Sequence, residues 1–167
     1  MQAEKRQRQL NLAEELLKEQ NFGAAIVAGA IATILGCGVY SVAALLAGGQ
    51  SVSVLVIAIG AAVGIIMQYL GRGITAHFSL AGAAFGIASY PLARLCTIAL
   101  YTLKAERISI FELFNGERLV AMWAWVFTGI RLLDLIFWVA AAGTAAYLSK
   151  RRLSRDEDEA IYTFVHR

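Results

Sequence analysis

Four apolar stretches, 22–46, 52–70, 78–103 and 119–148, constrain this chain more than any other feature, because each is about as long as a bilayer crossing. A hydrocarbon core of about 30 Å takes roughly 20 apolar residues as a helix. Lipid offers no partner for backbone N–H and C=O groups, so a spanning segment satisfies them internally, as a helix or within a closed barrel. Barrel strands alternate polar and apolar residues over about 10 positions. These stretches are apolar on every side, which selects helices. Composition agrees: 59% of the 167 residues are hydrophobic and 16% charged, where soluble domains carry about 25% charge. The fold expected is all-α, an integral membrane four-helix bundle over 22–149. An amphipathic leader helix (1–21) precedes it and a charged tail (150–167) follows.

The first stretch is longer than the roughly 7–15 apolar residues of a signal peptide, so it reads as a retained span. In the leader, Leu10, Ala13, Leu16 and Leu17 recur at helical spacing. That helix could lie on the membrane or on a partner; a cytoplasmic extension of the first span is the preferred reading. Lys5, Arg6, Arg8 and Lys18 precede the first span, and Lys150, Arg151, Arg152 and Arg155 follow the last. Basic residues gather on the cytoplasmic side, so both termini are expected there. Lys104, Arg107 and Arg118 then lie outside with Glu106, Glu112 and Glu117. Ile110, Phe111, Leu113 and Phe114 suggest a short outer interfacial helix ended by Asn115-Gly116, with Trp123 and Trp125 near the same interface. Arg72, Lys150, Arg151 and Arg152 are the expected lipid-headgroup contacts. Glycine in Gly71-Arg72-Gly73 would supply the left-handed cap of the second span. Residues 155–159 read as a solvated helix start.

Ions inside spans are costly, about 2.5–3.5 kcal/mol each at mid-bilayer, and mark polar partners. Arg94 shares a third-span stripe with Gly86, Tyr90, Thr97 and Tyr101. Arg131 and Asp134 are three apart, hence on one face of a continuous fourth span, which Thr128 and Trp138 extend. At about 1.5 Å per residue, Asp134 would lie deep enough to bridge both guanidiniums. The cluster is expected to be an interhelical latch, or a polar conduit or anion site. Small residues mark close packing: Ala24, Ala28, Ala32 and Gly36 on the first span, Gly60 and Gly64 on the second, Gly82, Gly86 and Ala93 on the third. They read first as internal packing and second as oligomer faces.

Signatures of catalysis are missing from the sequence: no G-x-S-x-G, HExxH, GxGxxG or Walker motif, and only His77 and His166 as histidines. The expectation is no enzyme, no cofactor and no metal. Cys37 and Cys96 lie in apolar stretches without metal spacing and read as buried packing residues. The net charge of +3 comes with no basic run interleaved with aromatics, so nucleic acid is not an expected partner. The expected partners are the bilayer and either further copies or other membrane subunits.

Tyr69–Ile74 (YLGRGI), Phe78–Ala83 (FSLAGA) and Leu133–Trp138 (LDLIFW) together resemble a group of small bacterial four-span membrane proteins of uncharacterised function. Those carry G-K/R-G-I, F-G-x-x-G-A and M-D-L-L-F-Y. The matching positions here are Gly71, Arg72, Gly73, Gly82 and Asp134. Ala93-Arg94 stands where the group has G-N, and Thr75 where an acid often follows G-I. The resemblance implies a bacterial inner membrane and a four-helix fold, with no activity attached. The function expected is a non-enzymatic accessory subunit or self-associating scaffold. The alternative is a small oligomeric channel or carrier for an anionic solute, using Arg94, Arg131 and Asp134.

Overall fold

The structure, a computed structural model, describes residues 2–48, 52–113 and 115–165, and these form helices without strands. In chain order the helices are α1 (Gln2–Lys18), α2 (Phe22–Leu46), α3 (Val54–Gly71), α4 (Ala76–Glu106), α5 (Ile110–Leu113), α6 (Gly116–Thr128), α7 (Leu132–Leu148) and α8 (Arg155–Val165). Phe114 of the expected outer helix and His166 lie outside the described residues.

Helices α2, α3 and α4 are each long and apolar enough to cross a membrane, at about 37, 27 and 46 Å. The expected fourth span, 119–148, is not one helix. It is α6 and α7, bent by 98° at a short break, and only together do they pass the same test. Gly129 ends α6, Arg131 turns extended (φ −94°, ψ 160°), and α7 starts afresh. A hydropathy average over the stretch is blind to this break because the residues on both sides of it are predominantly apolar.

α2 packs on α3 and α4, α7 packs on the same two helices, and α3 meets α4 between them. α2 and α4 run one way, α3 and α7 the other. Tyr40, Val56, Val63, Met67, Phe78 and Tyr90 fill the shared interior. α7 lies where α3 and α4 are thinnest. A methyl group added to Gly64 would sit 2.8 Å from the Ala145 carbonyl oxygen, one on Gly82 2.7 Å from that oxygen, and one on Gly86 2.6 Å from Ala142 Cα. At Gly60 it would collide with the Ala141 carbonyl. Ala28 and Ala32 are buried, and Gly36 abuts the Ile59 side chain.

α1 is not an extension of α2, as the sequence had suggested. The Asn21 side chain accepts the Ala24 N–H at 2.9 Å and starts α2 anew, while the Asn21 N–H donates to the Gly71 carbonyl at 2.9 Å. α1 instead packs on α8, burying Leu10, Ala13 and Leu16, with Ala160 buried on α8. At the opposite end of the molecule α6 packs on the last turns of α4. Cys37 is buried but Cys96 is exposed, because it falls on the outer side of α4.

Candidate functional site

A cluster of polar groups gathers at the α6–α7 break. Asp134, in the first turn of α7, is 3% exposed. One of its carboxylate oxygens accepts the Arg131 N–H at 3.0 Å; the other accepts the hydroxyl of Ser53, the residue before α3. The Tyr90 hydroxyl faces the same carboxylate. The Arg94 guanidinium donates to the Gly129 carbonyl at 2.9 Å and to the Tyr90 hydroxyl at 3.3 Å. Each ion therefore closes one end of the broken helix: the cation meets the carbonyl of Gly129, the residue that caps α6, and the anion meets the amide of Arg131, the residue that caps α7. Both charges also complement the helix dipoles. Backbone groups exposed by a break in an apolar setting need such partners.

This geometry corrects the expected cluster. Among the described residues no ion pair joins Asp134 to Arg94 or to Arg131. Arg131 is exposed, since the break turns it off the face it would share with Asp134 in a continuous helix. Asp134 lies level with the start of α3 rather than deep in a span. Sequence reasoning missed Ser53, Tyr40 and Gly129. Of these Gly129 carried a signal, a helix-terminating residue five positions before an acid suited to a helix start. Tyr40 is 1% exposed, and its hydroxyl lies beside the Val52 backbone, just ahead of α3.

One turn away, Pro91 lacks an N–H, so the Ile87 carbonyl has no helical donor. The Trp138 indole N–H on α7 donates to it at 2.7 Å, and the Trp138 ring lies 5.5 Å from that of Tyr90. Trp138 thus joins α4 to α7 beside the break.

The expected headgroup residues sit at the other end. Arg72 itself takes the left-handed cap of α3 (φ 47°), where a glycine had been expected. Gly71 and Gly73 serve space instead, because a Cβ on either would press on the Phe78 ring. Glu19 meets Arg72 at 3.3 Å and Arg151 at 3.8 Å, and Arg151 also pairs with Glu157 at 2.8 Å. The Arg151 N–H donates to the Gly73 carbonyl at 2.8 Å. Glu157 accepts the Ser154 N–H at 2.7 Å while its own N–H donates to Ser154 Oγ at 3.4 Å, a reciprocal cap on α8. The bond from the Ser154 amide, with Arg151 adding to it, holds the Glu157 carboxyl below its ordinary range. Arg152 lies over the Tyr147 ring, 5.1 Å from its centroid, and donates to its hydroxyl. Lys150 is exposed.

A cavity of about 660 Å³ opens between α4 and α6, lined by Ile98, Tyr101, Met122 and Trp125 and by the Glu106–Arg118 pair. Among the described residues no His, Cys, Asp and Glu group could hold a metal ion. No protein-family model, curated protein or solved structure matches the chain.

Proposed function

We propose that the chain is a non-enzymatic multi-pass protein of the bacterial inner membrane, an accessory subunit or self-associating scaffold with both termini cytoplasmic. In this reading α2, α3, α4 and α7 make a four-helix membrane bundle, and α1 is its amphipathic N-terminal helix. The observation that carries it is the use made of the interior ions. Arg94 and Asp134 hold the two ends of a broken helix, so their charge is committed to architecture rather than to a solute. The glycine faces of α3 and α4, filled by the α7 backbone, support the same view.

The broken helix favours one second reading. Discontinuous helices present their ends to solutes in several carriers, and an oligomer could present this one to an anion. Proteoliposomes holding the full chain separate the two. The scaffold reading expects chloride and phosphate flux equal to that of protein-free vesicles, and native mass spectrometry from the membrane should find multimers or a stoichiometric partner. Anion flux that Asp134→Asn removes, in a protein that still folds, would overturn it.

A further inference from the structure

The corner between the end of α7 and the start of α8 holds a cavity of about 500 Å³, within the roughly 300–1,000 Å³ of small-molecule sites. Its lining includes Lys150, Arg151, Arg152 and Arg155, against Asp158 as the acid. Arg151 is already matched by Glu157 and Glu19. Among the described residues no ion pair joins Lys150, Arg152 or Arg155 to a carboxylate. Three cations therefore face one cavity with their charge unmatched by a pair. The stacking of Arg152 on Tyr147 fixes one guanidinium there.

The cavity adjoins the lipid-facing side of α7. Val139, Gly143 and Tyr147 are spaced four apart and so line one face, and Val139 and Tyr147 are largely exposed. Between them Gly143 has nothing within 4 Å of where its Cβ would be, which leaves a notch between those two side chains, one turn from the basic corner.

We propose that this corner binds the phosphate of an anionic glycerophospholipid, with one acyl chain lying along the Gly143 notch. The proposal rests on the reading of the chain as membrane-spanning. Cations of this kind attract anionic lipid, so loss of two should weaken binding about thirtyfold.

The test uses the full chain in detergent, titrated with phosphatidylglycerol or phosphatidylcholine and read by native mass spectrometry. Phosphatidylglycerol should be retained in preference. Lys150→Gln with Arg155→Gln should lose about thirtyfold in affinity, while Lys104→Gln with Arg107→Gln, the same charge change at the far end, should not. Gly143→Leu should weaken lipid retention without any change of charge. Lys150→Arg should retain binding, and circular dichroism should give each variant the parent's helix content. Inorganic phosphate at matched concentration should not displace the lipid; if it does, the ligand is a free anion and the lipid assignment is wrong. Equal retention of both lipids, or equal loss in the two double variants, also overturns it. Release of the chain from membranes by alkaline carbonate would overturn the membrane reading itself, whereas firm insertion without lipid discrimination would sink this site alone.

Discussion

Pro91 removes one donor from the interior of α4, and Trp138 supplies another from α7. Trp138→Phe keeps a ring against Tyr90 but leaves the Ile87 carbonyl unpaired. An acceptor orphaned in an apolar setting costs about 1–3 kcal/mol, the Ile87 carbonyl lies on the outer side of α4 rather than in the core, and side-chain hydrogen bonds inside membrane proteins average about 0.6. The expected loss is therefore about 1 kcal/mol, by reversible unfolding in mixed micelles. Pro91→Ala restores a helical N–H to the same carbonyl, so Trp138→Phe should cost much less in that background. The same cost in both backgrounds would refute the link. At this scale the sequence marked Arg94 and Asp134, because a charge in an apolar run stands out. Their partners were illegible: Arg94 meets a backbone carbonyl and Asp134 a backbone amide and a serine, and such acceptors and donors occur at every residue.

Close packing among the long helices depends on what each glycine faces. At Gly60 the obstacle is the Ala141 backbone; at Gly36 it is the side chain of Ile59, 2.7 Å from an added methyl. A backbone carbonyl held in a helix cannot yield, whereas an isoleucine can change rotamer. Overpacking costs about 1–3 kcal/mol, so Gly60→Ala should fall near the top of that range and Gly36→Ala below it. Ala62→Leu, on the exposed side of α3, is the control. Val63 cannot serve, since it is fully buried. Equal thermal stability of the two glycine variants in detergent would refute the ranking. Three of the long apolar helices were legible within a few residues, because length and hydropathy decide them. The fourth stretch was not, because its break depends on Gly129 and on caps supplied by α3 and α4. Helix α1 was legible from the spacing of Leu10, Ala13 and Leu16, but its partner α8 lies at the far end of the chain.

On the scale of the molecule, the chain ties its two terminal helices to one turn, Gly71-Arg72-Gly73, while α5 and α6 occupy the opposite end. Asn21 and Arg151 both donate backbone N–H groups to that turn, and Glu19 links Arg72 with Arg151. The last link in this chain of contacts is Glu157, which joins Arg151 to the first turn of α8. Its carboxyl lies below its ordinary value of 4.5 in the folded protein. A depressed carboxyl stabilises the fold above the unfolded value and ceases to do so as pH falls through the folded one. The first turn of α8 should therefore hold firm at about pH 6 and loosen as the pH falls below the ordinary glutamate range. Glu157 is mostly shielded but Arg151 is one-third exposed, so solvent screening keeps the effect modest. Amide protection factors in α8 should fall about three- to fivefold across that interval. Glu157→Gln should begin at the lower protection and change little with pH, because its amide still accepts the Ser154 N–H but carries no charge to lose. The helices α2, α3 and α4 provide an internal reference, since none of their amides touches this carboxylate. If α8 in the parent and in Glu157→Gln loses protection equally as the pH falls, then another acid controls the docking of the terminal helices.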